Sequence, residues 1–183
     1  MKLRKIILLC FVAIVTLTGC NSVEESEKAI ELFGKHSVYT PIELHSRAEI
    51  EYETYSKTIN IEAKTMIEMT NKLYIPAVIK FVGNLANSIN SVKSAVSDID
   101  VSVQEDLLKE STDLLKKTKA SKDALTAYVK EASELEGASQ AMYFRNTVFP
   151  GMAELRSYVD ALELIVDKEA WPVPTYGDLL FEV

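Results

Sequence analysis

The chain has 183 residues, 48% of them apolar and 26% charged, with a formal net charge of −7. So large an apolar share excludes disorder by composition, and the length suits one domain with a sizeable core. Nucleic-acid affinity comes largely from Lys and Arg displacing counterions, so an acidic chain of this kind is not expected to take nucleic acid as a partner.

Lys2, Arg4 and Lys5 precede an apolar run from Ile6 to Leu17 that ends in Leu17-Thr18-Gly19-Cys20. Charge, apolar run and small residues before a cysteine are the order of a bacterial lipoprotein signal. The expected arrangement is a signal over residues 1–19, with Cys20 as the lipid-bearing first residue of the mature chain at the cell envelope. A run of twelve residues is too short to cross a bilayer core, which takes about 20. Cys10 would leave with the signal, so no internal disulfide is available. Losing Lys2, Arg4 and Lys5 would move the net charge from −7 to about −10.

Residues 20–40 read as a tether with a short helix, and 41–183 as a helical bundle. Thr40-Pro41-Ile42-Glu43 carries a helix start, with Thr40 and Glu43 placed for a capping box and Pro41 at the first helical position. The helix is expected to reach about Asp98 with a kink at Pro76, which lacks a backbone donor and clashes with the carbonyl of Lys72. Beyond it, Val78, Val82, Leu85, Ile89, Val92, Val96 and Ile99 alternate steps of four and three, a heptad seam. Ser102-Val103-Gln104-Glu105 reads as a second capping box. The helix it opens has the inward line Leu107, Ser111, Leu114, Thr118, Ser121, Leu125, Tyr128, Ala132 and Leu135, with Gly137 at its end. A third helix from about Ser139 to Lys168 carries Val148, Met152, Leu155, Val159, Leu162 and Val166 and bends at Pro150-Gly151. The expected fold is all-α: an antiparallel up-down-up bundle of three long, partly kinked helices with an irregular C-terminal strap.

The amino-terminal part of the first helix holds Ile42, Leu44, Ile50, Tyr52, Tyr55, Ile59, Ile61, Met66 and Ile67, more apolar surface than a short hairpin can cover. Tyr52 and Tyr55, with Trp171, Tyr176 and Phe181 of the tail, are the candidate interface residues; the other reading of the tail is packing on the chain's own bundle, with Leu179, Leu180 and Phe181 re-entering an apolar groove. Chemistry is sparse. His36 and His45 are the only histidines and lack further ligands at metal-site spacing, so no metal site is expected. The six glycines stand too far apart for a phosphate-cradling loop, and no nucleophile elbow occurs. No cofactor is expected. Glu43, Glu49, Glu51 and Glu53 read as a solvated helix start, and Glu62 and Glu68 as partners for Lys64 or Lys72.

Trp171-Pro172-Val173-Pro174-Thr175-Tyr176-Gly177-Asp178-Leu179-Leu180-Phe181-Glu182-Val183 resembles the carboxyl end of type III glutamine synthetases. The resemblance returns in Glu31-Leu32-Phe33-Gly34-Lys35-His36, in Glu43-Leu44-His45-Ser46-Arg47 and in Lys57-Thr58-Ile59-Asn60-Ile61-Glu62-Ala63, and covers roughly residues 28 to 183. Ala48 departs from the family pattern, which has an aromatic there. The family makes glutamine from glutamate, ammonia and ATP, and its metal and nucleotide ligands lie in a catalytic domain upstream of these segments. The resemblance therefore implies a non-catalytic C-terminal helical region with no catalytic, cofactor or metal residues. Its expected partners are a lipid anchor at the membrane and either a separate catalytic chain or a second copy. The alternative is an unrelated surface lipoprotein whose bundle binds an envelope partner or small ligand.

Overall fold

The computed structural model describes residues 22–181, with side chains from residue 27 onward except those of Tyr176 and Phe181. The expected signal and Cys20 lie outside the described residues. Every regular element among those described is helical. In chain order they are α1 (Ser22–Lys35), α2 (Pro41–Met69), a π turn (Thr70–Tyr74), α3 (Ile75–Ala95), α4 (Ser102–Ala132), α5 (Gly137–Tyr143), a second π turn (Phe144–Val148), α6 (Phe149–Glu163) and α7 (Tyr176–Phe181). The chain divides into two compact units, one ending at Glu51 and the other beginning at Tyr52, and α2 runs from the first into the second.

In the first unit α1 ends in a turn where Ser37 takes a left-handed φ of 51° and Val38 N–H returns to the Phe33 carbonyl at 3.0 Å. Thr40 and Glu43 then close the expected capping box: Thr40 N–H donates to Glu43 Oε2 at 2.8 Å and Glu43 N–H to Thr40 Oγ1 at 3.3 Å. The bond from Thr40 N–H, with one from the Thr40 hydroxyl to the same Oε2 at 2.8 Å, favours the ionised carboxylate and lowers the Glu43 pKa. Tyr39 lies 5.7 Å from the Phe33 ring, and the Arg47 guanidinium stands 4.7 Å from its centroid.

In the second unit a single cluster joins Ile59 and Ala63 of α2, Val78 of α3, Leu125, Val129 and Ala132 of α4, Phe144 and Val148 of the second π turn, Met152, Leu155, Val159 and Leu162 of α6, then Val166 and Trp171. The expected line of the third helix is buried at every position. In α4 the expected seam is buried or half-buried throughout, Tyr128 being half-buried against the cluster, and Val129 and the stem of Lys122 are buried in addition to it. Lys122 brings its ammonium out to Asp123 Oδ1 at 2.5 Å, as a long charged side chain can while burying its methylenes.

Both expected bends take the form of π turns. Ile75 N–H bonds to the Thr70 carbonyl and Phe149 N–H to the Phe144 carbonyl, five residues back instead of four. Each turn closes immediately before a proline, Pro76 or Pro150, and the wider ring removes the clash that an α turn would force on a carbonyl four residues upstream. The first π turn also settles the register. Ser56, Ala63, Thr70 and Val78 are buried and Leu85 and Val92 half-buried along one line, with steps of seven, seven, eight, seven and seven. A straight α-helix would turn everything after Thr70 by about 100° for the one surplus residue, and a π turn takes that residue up.

Several boundaries differ from the sequence reading. The first seam stops with α3 at Ala95, leaving Val96 and Ile99 exposed. The second capping box does not form: Ser102 N–H goes to Asp100 Oδ1 at 2.9 Å, while Glu105 takes Lys93. Gly137 does not end α4. That helix closes at Ala132, where Ser133 N–H reaches the Val129 and Lys130 carbonyls and Gln140 Nε2 covers the Ala132 carbonyl at 2.9 Å. Gly137, at φ 56°, opens α5 instead. The third helix ends at Glu163 and not near Lys168, because the Asp167 carboxylate accepts from Glu169 N–H and its carbonyl from Ala170 and Trp171, offering the backbone a competing turn. The tail is not wholly irregular, since α7 occupies Tyr176–Phe181.

Candidate interaction surface

Of the candidate residues, Tyr52 and Tyr55 stand on α2, Trp171 follows α6, and Tyr176 and Phe181 belong to α7. Ile42, Ile50, Tyr55 and Ile61 are exposed on α2, Ile42 at 79% and Ile61 at 65%. Leu44 and Ile59 are buried, and Tyr52, Met66 and Ile67 are half-buried. At about 100° per residue Ile42 and Ile50 of the first unit stand about 80° apart around the helix, and Tyr55 and Ile61 of the second about 120° apart. Within each unit the exposed apolar side chains of α2 thus point to different sides, which is ordinary for a protein surface. Partial burial raises the Tyr55 pKa, opposed by Arg145 and assisted by Glu62.

Trp171 is buried within its own unit. Its ring stacks on Tyr74, the last residue of the first π turn, with centroids 5.2 Å apart and planes 26° from parallel. Its Nε1 finds no acceptor among the described residues. Ala170 and Val173 pack beside it. Beyond Pro174 a capping box starts α7: Thr175 N–H donates to Asp178 Oδ2 at 3.0 Å and Asp178 N–H to Thr175 Oγ1 at 3.2 Å. Lys168 also bonds Asp178, and these bonds, the lysine's first, lower its pKa to about 2. Leu179 and Leu180, expected to re-enter an apolar groove, are 69% and 71% exposed. The helix places Tyr176 and Phe181 at its two ends.

His36 and His45 are exposed in the first unit, and among the described residues no three His, Cys, Asp or Glu side chains are grouped to hold a metal ion. No helix of the described residues is long and apolar enough to cross a membrane. Glu68 pairs with Lys72 across one helical turn at 2.5 Å. Tyr74 and Thr70 were missed from the sequence. The eight-residue step between Thr70 and Val78, with Tyr74 and Pro76 inside it, was the signal that could have found them.

Among known proteins the similarity falls in one place. Residues 14–93 match the family model described as the glutamine synthetase C-terminal domain. The chain is 34% identical over 170 residues to the Type-3 glutamine synthetase of Dictyostelium discoideum, covering 90% of this chain and 23% of that relative. It is 31% identical over 175 residues to a glutamine synthetase of Butyrivibrio fibrisolvens, covering 91% of this chain and 24% of the relative. A glutamine synthetase of Bacteroides fragilis is 26% identical over 149 residues. The chain therefore spans about a quarter of the length of the curated relatives it matches, and no solved structure matches it. The family match begins at Ile14, inside the apolar run read as a signal.

Proposed function

We propose that these 183 residues serve as a non-catalytic helical region equivalent to the C-terminal domain of a type III glutamine synthetase, acting through protein contacts. The similarity carries this reading: it takes in about nine-tenths of the chain yet less than a quarter of the Dictyostelium enzyme. A segment of that kind contributes shape and contact surface, and the chemistry belongs to groups beyond it. In this reading the helices of 76–168 run up, down and up, and the exposed Leu179 and Leu180 of α7 are contact residues. Purified protein given glutamate, ammonia, ATP and magnesium forms no glutamine; turnover would overturn the non-catalytic assignment. Light scattering of the purified chain, alone and with a synthetase truncated before this region, tests the contact role. A monomer that joins neither itself nor the truncated enzyme sinks it.

The proposed anchor is a lipid on Cys20 at the bacterial envelope. Because the family match overlaps residues 14–20, this stretch is either a lipobox or part of the domain's own sequence. Labelling cells with a lipid precursor separates the two. The anchored reading requires label on the wild type and none on Cys20→Ala, and unlabelled wild-type protein in the cytosol refutes it.

A further inference from the structure

We propose that the segment after α6 is a clamp on the first π turn, with Trp171 pinning the surplus residue of the α2–α3 register in place. The eight-residue step from Thr70 to Val78 requires one extra residue somewhere in that stretch. The backbone alone limits its position only in part: Pro76 has no N–H, so no α-type bond can be made from that residue. The remaining choice falls on Tyr74, which closes the π turn, and Trp171 is stacked on it. Shifting the wide turn upstream by one residue would rotate the Tyr74 ring away from the indole and break the stack. The indole is held there although its Nε1 has no acceptor among the described residues, so this position rests on ring contact and burial and not on a hydrogen bond. Val166, Ala170 and Val173 seat the segment on either side, and Lys168 ties it forward to Asp178. Trp171 is a positioning residue in this account, and whatever displaces the tail loosens the junction of two helices far from it in sequence.

Per-amide hydrogen exchange by NMR on the full chain tests the clamp. Trp171→Leu keeps apolar bulk and removes the stack, so exchange at Ile75, Ala77 and Val78 should rise about three- to tenfold. Amides from Thr118 to Leu125 in α4 should change less than about twofold, and Trp171→Phe, which restores an aromatic face, should return the junction to within about twofold of wild type. Equal acceleration in α4 and the junction, no acceleration, or a Phe variant no better than Leu each overturns the proposal. If Trp171→Leu does not fold, Tyr74→Leu compared with Tyr74→Phe removes and restores the same stack from its other side, with the same outcomes deciding.

Discussion

Deleting one residue from a helix normally destroys its packing, but the first π turn should make Asn71 an exception. Asn71 is exposed and lies within the turn. Its removal shortens the step from Thr70 to Val78 from eight residues to seven, so a continuous α-helix keeps both halves of the buried line on one face. Pro76→Ala must accompany the deletion, since the α turn restores the clash that the wide turn relieves. No side chain of the buried line has to move and the Tyr74–Trp171 stack is the contact given up, so the expected loss is about 0.5–1.5 kcal/mol, or about 1–6 °C in melting temperature for a chain of this size. The control is deletion of Ala127, exposed in α4, which has no such turn. There the change rotates either Thr118 and Leu125 or Val129 and Ala132 off the core by about 100°. Burying one Val or Leu is worth about 1.5–3 kcal/mol, and the cavity adds to it, so a loss on the order of 3 kcal/mol or more is expected, about 10 °C. Circular dichroism melts at 222 nm read both variants. Equal destabilisation by the two deletions would refute the claim that the π turn stores a spare residue. Pro76→Ala alone should leave the π turn in place, because the surplus residue remains.

Three further outcomes are expected. Gly83→Ala, with nothing within 4 Å of the new carbon, should stabilise by up to about 1 kcal/mol through helix propensity, whereas Gly151→Ala meets the Tyr128 ring at 3.2 Å and should destabilise by about 1–2 kcal/mol; thermal melts should show opposite signs. Asp178 has its pKa lowered to about 2, below its unfolded value, so its support of α7 is present above about pH 4 and lost as pH falls towards 2. Amide protection in α7 should fall across that window, and Asp178→Asn should flatten the profile. The Tyr143 phenol donates to Glu131, and that bond pushes its pKa up to about 12. Its contribution is therefore full below about pH 10 and lost as pH rises through 12; ultraviolet titration should show the late phenol, and Glu131→Gln should return it towards 10.

The helical class and the α6 line were readable because apolar residues recur at helical spacing and six of them land in the core without exception. The capping box at Thr40 forms although Arg47 stands four residues on from Glu43, since the Arg47 guanidinium lies over the Tyr39 ring, whereas Lys93 draws Glu105 away from the equivalent role. Proline gave the places of the two interruptions but not their form, since a kink and a π turn both answer a missing donor, and only the burial of Thr70 and Val78 separates them. Gly137 misled because its left-handed backbone suits a helix end, yet Ser133 and Gln140 satisfy the carbonyls of α4 earlier. Of the two readings of the tail, packing on the chain's own bundle is the one Trp171 takes, stacked on Tyr74, while Leu179 and Leu180 stay in water and do not re-enter a groove.

Ser111, Thr118 and Ser121 fill the middle of the α4 seam, and the hydroxyls of the two serines find no partner among the described residues. Side chains this short mesh shallowly with whatever faces them, so lengthwise sliding of a neighbouring helix meets little steric resistance there. Further along, Leu125 and Leu155 are fully enclosed, and Gly151 lets Tyr128 press against the α6 backbone. The second unit thus has a compliant stretch and an interlocked one along the same rod, and shear should be borne by the serine-rich stretch.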